Sequence, residues 1–265
     1  MTARTTPSGP AGSPRSPGGQ VGLHSDGTAP LLEVSGLVAA YGPYRALFGV
    51  SLRIEAGATQ VLVGPNGAGK STVLRAVSGL LDKASGTVLF AGRNILGWPA
   101  WRIARAGLGH VAEGRSVFSS ISVQENLALA MTGLRGWRSR GRYVEGFERA
   151  YEVFPVLAER RHQMAGTLSG GEQRMLSLAK LVAIEHKLVM VDELSLGLSP
   201  AMVDEVYGSL VHLKQMGTAL LIVEQHPQRV MEIADRVAVL ARGQVTAEGT
   251  PDDVRSLVET LIPAP

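Results

Sequence analysis

Gly64-Pro65-Asn66-Gly67-Ala68-Gly69-Lys70-Ser71 is the stretch that decides the fold. It fits G-x-x-x-x-G-K-[ST] and directly follows the apolar run Val61-Leu62-Val63, which supplies the strand, loop and helix setting that the motif requires. Glycines let backbone N–H groups turn inward around α/β-phosphates, and a helix starting near Ser71 aims the positive end of its dipole at them. In that setting Lys70 reaches the β/γ-phosphates and the Ser71 hydroxyl ligates Mg²⁺, so Gly64 to Thr72 is the candidate nucleotide-binding set. The bland alternative is a glycine-rich turn that binds nothing. Spacing and flanking context both speak against it.

A phosphate loop leaves kinases, GTPases and many ATPases open. Leu188-Val189-Met190-Val191 narrows the choice: it is a short continuous apolar run, as expected of a buried parallel strand, and it ends in Asp192-Glu193. Both carboxylates are thereby placed at a strand's C-terminal edge, where open α/β sheets bind ligands. Asp192 is suited to hold Mg²⁺ through water, and Glu193 to orient or deprotonate the attacking water. An isolated Asp-Glu would read first as two solvated carboxylates opening a loop; beside a phosphate loop the catalytic reading takes precedence.

Leu168-Ser169-Gly170-Gly171-Glu172-Gln173 leads into a helix-compatible stretch, Glu172 to Ala183. Ser169 as N-cap with Glu172 three residues later would complete a capping box, which accounts for those two residues but not for the paired glycines. Taken with the other segments, this one makes the chain resemble the ABC ATPase family, in which it is the signature that completes the nucleotide site of the opposite subunit. The resemblance implies ATP and Mg²⁺ as cofactors, a second ATPase subunit as partner, and Ser169, Gly170, Gly171 and Glu172 turned toward that subunit's nucleotide. It also implies that His226, beyond Leu220-Leu221-Ile222-Val223-Glu224-Gln225, contacts the γ-phosphate, and that Tyr41, in Ala40-Tyr41-Gly42, stacks on adenine. Without the resemblance His226 is a surface histidine after a strand and Tyr41 a core tyrosine.

The resemblance covers about Leu31 to Leu261 of the 265 residues, and one nucleotide-binding domain, 31–262, fills that span. The expected fold is α/β: a P-loop NTPase core with a mostly parallel sheet flanked by helices, an antiparallel β subdomain, and an ABC helical subdomain at about 114–187. Strand-like alternation from Leu31 to about Ile54, with Thr87 to Phe90, predicts the antiparallel part. Helices are predicted over Val123 to Met131 and Tyr143 to Glu159, a hairpin over Val237 to Val245, and a short last helix over Pro251 to Leu261. Residues 1–30 are dominated by Gly, Pro, Ser and Thr and cannot bury enough surface to offset their ordering entropy, so a disordered tail is expected there; it lacks the apolar stretch of a secretory signal.

With 45% hydrophobic and 18% charged residues the composition is that of a globular chain, and no apolar run approaches the length of about 20 residues that spans a bilayer. Zero cysteines exclude a disulfide framework or a thiolate metal site, and a formal charge of +3 is too small to imply nucleic acid. Arg135, Arg138, Arg140 and Arg142 around Trp137 form a local basic run, either a solvated face or a contact for acidic headgroups or a partner loop.

Three further features narrow the resemblance. Val111-Ala112-Glu113-Gly114-Arg115 stands where most of the family has a loop glutamine, Tyr151 to Pro155 with Glu159-Arg160-Arg161 lies upstream of the signature, and Ser195-Leu196-Gly197-Leu198-Ser199-Pro200 follows the acidic pair. The combination resembles the ATPase subunits of branched-chain amino-acid importers, particularly the shorter of the two paired ATPases; urea and amide importers share much of it. It implies permease subunits as direct partners, an external solute-binding protein as an indirect one, and a peripheral position at the cytoplasmic face of the membrane. Glu113 then becomes an outer-shell metal contact on the permease-facing loop, or a surface carboxylate paired with Arg115. Ala112 replaces a proline common in that branch, Leu194 the proline that usually follows the acidic pair, and His226 the branch's frequent asparagine. The rival classes are a soluble ABC ATPase of repair or ribosome function and a small-molecule kinase, the second of which leaves the signature unexplained.

Overall fold

A computed structural model describes residues 29–112, 116–135, 140–195, 198–225 and 228–261. In chain order the strands are β1 (Leu32–Tyr41), β2 (Tyr44–Ile54), β3 (Thr59–Val63), β4 (Ala84–Phe90), β5 (Arg93–Asn94), β6 (Leu108–Val111), β7 (Leu188–Asp192), β8 (Ala219–Glu224), β9 (Arg236–Ala241) and β10 (Gln244–Gly249). The helices are α1 (Lys70–Val77), α2 (Ala100–Arg105), α3 (Val123–Arg135), α4 (Arg140–Val153), α5 (Pro155–Glu159), α6 (Gly170–Val182), α7 (Pro200–Gln215) and α8 (Pro251–Leu261).

Strands β3, β7 and β8 are buried at every position, because short runs of Val, Leu and Ile can be covered on both faces only in a parallel sheet with layers on each side. They are the centre of a six-stranded sheet of order β10-β9-β3-β8-β7-β6, parallel except for the β9/β10 hairpin at one edge. Alternate residues separate two cores. Val61, Val63, Val189, Val191, Leu220 and Ile222 pack toward the helices α3 to α7, whereas Leu62, Met190, Leu221 and Val223 pack toward α1 and the antiparallel sheet. That second sheet has the order β2-β1-β4-β5, all antiparallel.

Register fixes the site. Val63 pairs with Glu224 and Asp192 with Val223, so the C-terminal ends of β3, β7 and β8 lie side by side. The phosphate loop, Glu193 and Gln225 each continue one of these strands and are thereby delivered to one edge of the sheet.

The elements depart from the sequence reading in two ways. The helix predicted over Tyr143 to Glu159 is two helices, because Pro155 disfavours helical backbone at the residue before it; Phe154 lies at φ −129° and ψ 75°, and Pro155 opens α5 at the first helical position. The strand β6 and the helices α2 and α7 lie where no element was predicted. The basic run around Trp137, the tail at 1–28, Glu113 and His226 fall outside the described residues or, for Arg135, Arg140 and Arg142, outside the described side chains.

His110 on β6 gives a titration prediction. Its Nδ1 lies 3.0 Å from Ser78 Oγ, which itself donates to Leu74 O at 2.7 Å, so Nδ1 carries the proton. Nε2 is buried and has no hydrogen-bond partner among the described residues. Protonating it would place a charge in an apolar site near Arg75; burial first, and that cation second, push the imidazole down from 6.5 to about 4. A depressed histidine stabilises fully above its unfolded value, and that stability is lost as pH falls from 6.5 toward 4. Denaturant unfolding at pH 7 and pH 5 is expected to show a loss smaller by about 2 kcal/mol in His110→Gln than in the parent. Equal losses would remove His110 from the acid response.

Candidate active site

The phosphate loop leaves β3 at Gly64 and turns into α1. Gly69, at φ +105°, is the N-cap, in a left-handed turn that only glycine adopts easily, and a Cβ there would also sit 2.8 Å from Leu47 Cδ2 and 3.2 Å from Ala46 O of the antiparallel sheet. The helix start has no side-chain cap and no acidic residue in its first turn. By contrast α6 begins with a complete capping box. The N-terminus of α1 therefore retains its donors and its positive dipole for an anion.

Lys70 is only 4% exposed, and its Nζ donates to Gly64 O at 2.9 Å and Pro65 O at 3.3 Å. The same Nζ lies 3.4 Å from Glu193 Oε1. Ser71 Oγ donates to Asp192 Oδ1 at 3.1 Å. The four residues assigned to phosphate, metal and water in separate sequence segments thus meet at one strand edge. Ser71 with Asp192 is a hydroxyl and carboxylate oxygen pair suited to a hard cation such as Mg²⁺, and the α1 terminus with Lys70 suits its phosphate partner. Among the described residues, no group of three His, Cys, Asp or Glu side chains could hold a metal by itself.

Glu193 has φ +45°, uncommon for a residue with a side chain and of the kind of strain that collects at functional positions. Its N–H donates to Val223 O at 2.9 Å. Tyr41, at the end of β1, is 41% exposed, so it is no core tyrosine and its ring is accessible.

Ser169 and Gly170 are exposed at the start of α6. Ser169 Oγ accepts from Glu172 N at 3.3 Å while Ser169 N donates to Glu172 Oε2 at 2.8 Å, and Glu172 also meets Arg160 at 3.2 Å. Capping accounts for Ser169 and Glu172. Gly171 gives room to the Met202 side chain of α7, whose Cε would lie 2.0 Å and Cγ 3.1 Å from a Cβ there. Gly170 is different: a Cβ would meet nothing within 4 Å among the described residues and the backbone is not left-handed, so none of the described residues demands glycine there.

Two polar residues near the acidic pair escape a reading of the sequence. Arg174, on α6, donates through Nη1 to both Glu193 O and Leu194 O at 2.8 Å. Glu224 closes β8 at 1% exposure and accepts from Ser195 and Tyr207. A carboxylate ending an otherwise apolar buried strand is the available signal for Glu224; for Arg174 the sequence carries none.

A parallel sheet, a phosphate loop whose lysine faces a strand-end acidic pair, and a capped Ser-Gly-Gly helix start together define a nucleotide hydrolase. Residues 47–195 match the family pattern of the ABC transporter, and the chain belongs to that family: it is an ABC-type ATPase that binds and hydrolyses nucleotide. Among its relatives is the high-affinity branched-chain amino acid transport ATP-binding protein BraG of Pseudomonas aeruginosa, 38% identical over 79% of this chain and 88% of that protein. The lipopolysaccharide export system ATP-binding protein LptB of Escherichia coli is 29% identical over 84% of this chain and 92% of its own length. A crystal structure of the ADP conformation of an ATP-binding cassette of an ABC transporter superposes with a TM-score of 0.75 at 26% identity, covering 88% of this chain and 96% of that one.

Proposed function

We propose that this chain powers the import of branched-chain amino acids or related small polar solutes, as one of two ATPase subunits held by permease subunits at the cytoplasmic membrane face. The observation that carries the reading is the meeting of Lys70, Ser71, Asp192 and Glu193 at one strand edge, in a chain 38% identical to BraG. Among the described residues no helix is long and apolar enough to cross a membrane, so membrane attachment would pass through the permeases.

In this mechanism Lys70 exchanges its loop carbonyls for β- and γ-phosphate oxygens. Ser71 and Asp192 would hold Mg²⁺, which when bound would supply charge neutralisation for the phosphates. Released from the lysine, Glu193 orients the attacking water and takes its proton on the carboxylate. Tyr41 stacks on the adenine, a contact worth about 1–3 kcal/mol. His226 on the γ-phosphate and Glu113 as an outer-shell metal contact complete the reading. Each nucleotide is closed over by Ser169, Gly170 and Gly171 of the second subunit, with Glu172 holding that helix start in shape. The unexplained glycine at 170 supports this: an opposing phosphate could approach the backbone there.

The test is reconstitution of the ATPase with its permeases in proteoliposomes. Turnover stimulated by an external binding protein loaded with leucine, isoleucine or valine is the expected result. The similarity to LptB supports a second reading, an exporter ATPase, which predicts stimulation only by a solute or lipid on the ATPase side. Failure to associate with any permease would favour a soluble ABC ATPase.

A further inference from the structure

The segment from Glu193 to Ser195 is held from two sides by groups that the reaction itself does not require. On one side Arg174 of α6 donates to the carbonyls of Glu193 and Leu194, both at 2.8 Å. On the other, Glu193 N donates to Val223 O at 2.9 Å, and the Glu224 carboxylate accepts from Ser195 N at 3.3 Å and Ser195 Oγ at 3.0 Å. Tyr207 of α7 donates its hydroxyl to Glu224 at 2.9 Å.

We propose that Arg174 and Glu224 are positioning residues that clamp the Glu193–Ser195 segment between the signature helix and the tip of β8, so that a shift of the helix is transmitted to the Glu193 carboxylate. Arg174 lies five residues after Ser169 on the helix whose start faces outward, and its guanidinium grips the two peptide carbonyls on either side of the Leu194 Cα. One rigid element therefore links the surface offered to a second subunit's nucleotide with the carboxylate that faces this subunit's Lys70. The left-handed backbone at Glu193 gives the clamp its purpose: such a conformation persists only where surrounding contacts over-determine it. Leu194 leaves its side chain 1% exposed in the core and brings none of the ring rigidity of a proline, so the turn depends on hydrogen bonds for its shape. Glu224 suits a fixed anchor, because hydrogen bonds from Ser195 N, Ser195 Oγ and Tyr207 fix its carboxyl in one orientation, even though burial first, with the neighbouring Glu193 charge, holds it above the usual carboxylate range.

The inference rests on the reading of Glu193 as the base, so one arm of the test is independent of turnover. In the full-length subunit, Arg174→Met and Glu224→Gln are each expected to raise amide exchange of residues 191–195 by about tenfold or more, with global melting little changed. Unchanged exchange would overturn the clamp whatever Glu193 does. Addition of a non-hydrolysable ATP analogue is expected to slow exchange there in the parent but not in Arg174→Met, at equal dimer fraction; equal protection would overturn the transmission. In turnover, Arg174→Met is expected to lower kcat about tenfold or more while KM for ATP stays within about twofold, with partial rescue in Arg174→Lys. Combined with Glu193→Gln it should add little, since neighbours acting through one group are non-additive. Fully additive losses would show that Arg174 does not act through Glu193. If instead Glu193→Gln alone leaves kcat intact, the base reading fails while the exchange results still decide the clamp.

Discussion

Glu193→Gln is expected to lower the ATPase rate by about 10²–10⁴-fold, the usual contribution of a positioned general base, while leaving ATP affinity within about twofold. Glutamine keeps the size of the side chain and can still accept a hydrogen bond from water, but it cannot take a proton. The loss therefore falls on the transition state and spares the ground state. The structure adds a reason for affinity to hold or rise. Glu193 Oε1 lies 3.4 Å from Lys70 Nζ, so in the parent the carboxylate competes with phosphate for the same ammonium. A neutral amide competes less. The observable consequence is an ATP-bound dimer that accumulates in Glu193→Gln and elutes early on size exclusion with Mg²⁺ and ATP. Equal turnover in the two proteins would remove Glu193 from proton transfer.

The same site explains what can be read from the sequence and what cannot. The apolar runs ending at Val63, Val191 and Val223 are short and uninterrupted, which identifies buried parallel strands whatever their order in the sheet. Their C-terminal ends place chemistry at one edge, so Lys70, Ser71, Asp192 and Glu193 can be named before any contact is known. The edge strand β6 cannot, because Leu108-Gly109-His110-Val111 is four residues long and carries a glycine and a histidine in place of an apolar run. Helix α7 begins with Ser199 at the N-cap and Pro200 at the first turn, a start signal hidden by its place at the end of the loop motif Ser195 to Pro200. Arg174 is illegible for a different reason: its partners are the carbonyls of Glu193 and Leu194, nineteen and twenty residues away, and no side-chain pattern encodes a hydrogen bond to a carbonyl, whereas Glu224 is marked only as a carboxylate ending an apolar run, without its partners Ser195 and Tyr207.

Ser169→Arg is expected to abolish ATP-driven closure of two subunits and to lower turnover by about a hundredfold or more, equivalent to about 2.7 kcal/mol. The physical case begins with exposure. Ser169 and Gly170 face solvent, so an arginine at 169 meets no clash inside the subunit. It does lose the N-cap, since Ser169 Oγ accepts from Glu172 N at 3.3 Å. Loss of such a cap costs about 0.5–2 kcal/mol, enough to move the melting temperature by several degrees but not to unfold a chain with two large cores. Ser169→Ala suffers the same loss without the bulk, which makes it the control. If the segment serves only to start α6, the two variants should behave alike in every assay. If it closes over a second subunit's nucleotide, they should melt alike while only the arginine form fails to dimerise. Size exclusion with ATP in a Glu193→Gln background, where the closed form accumulates, reads the difference directly. An arginine variant that still dimerises to the parental extent would return the Ser-Gly-Gly segment to a local capping role and leave Gly170 without an explanation.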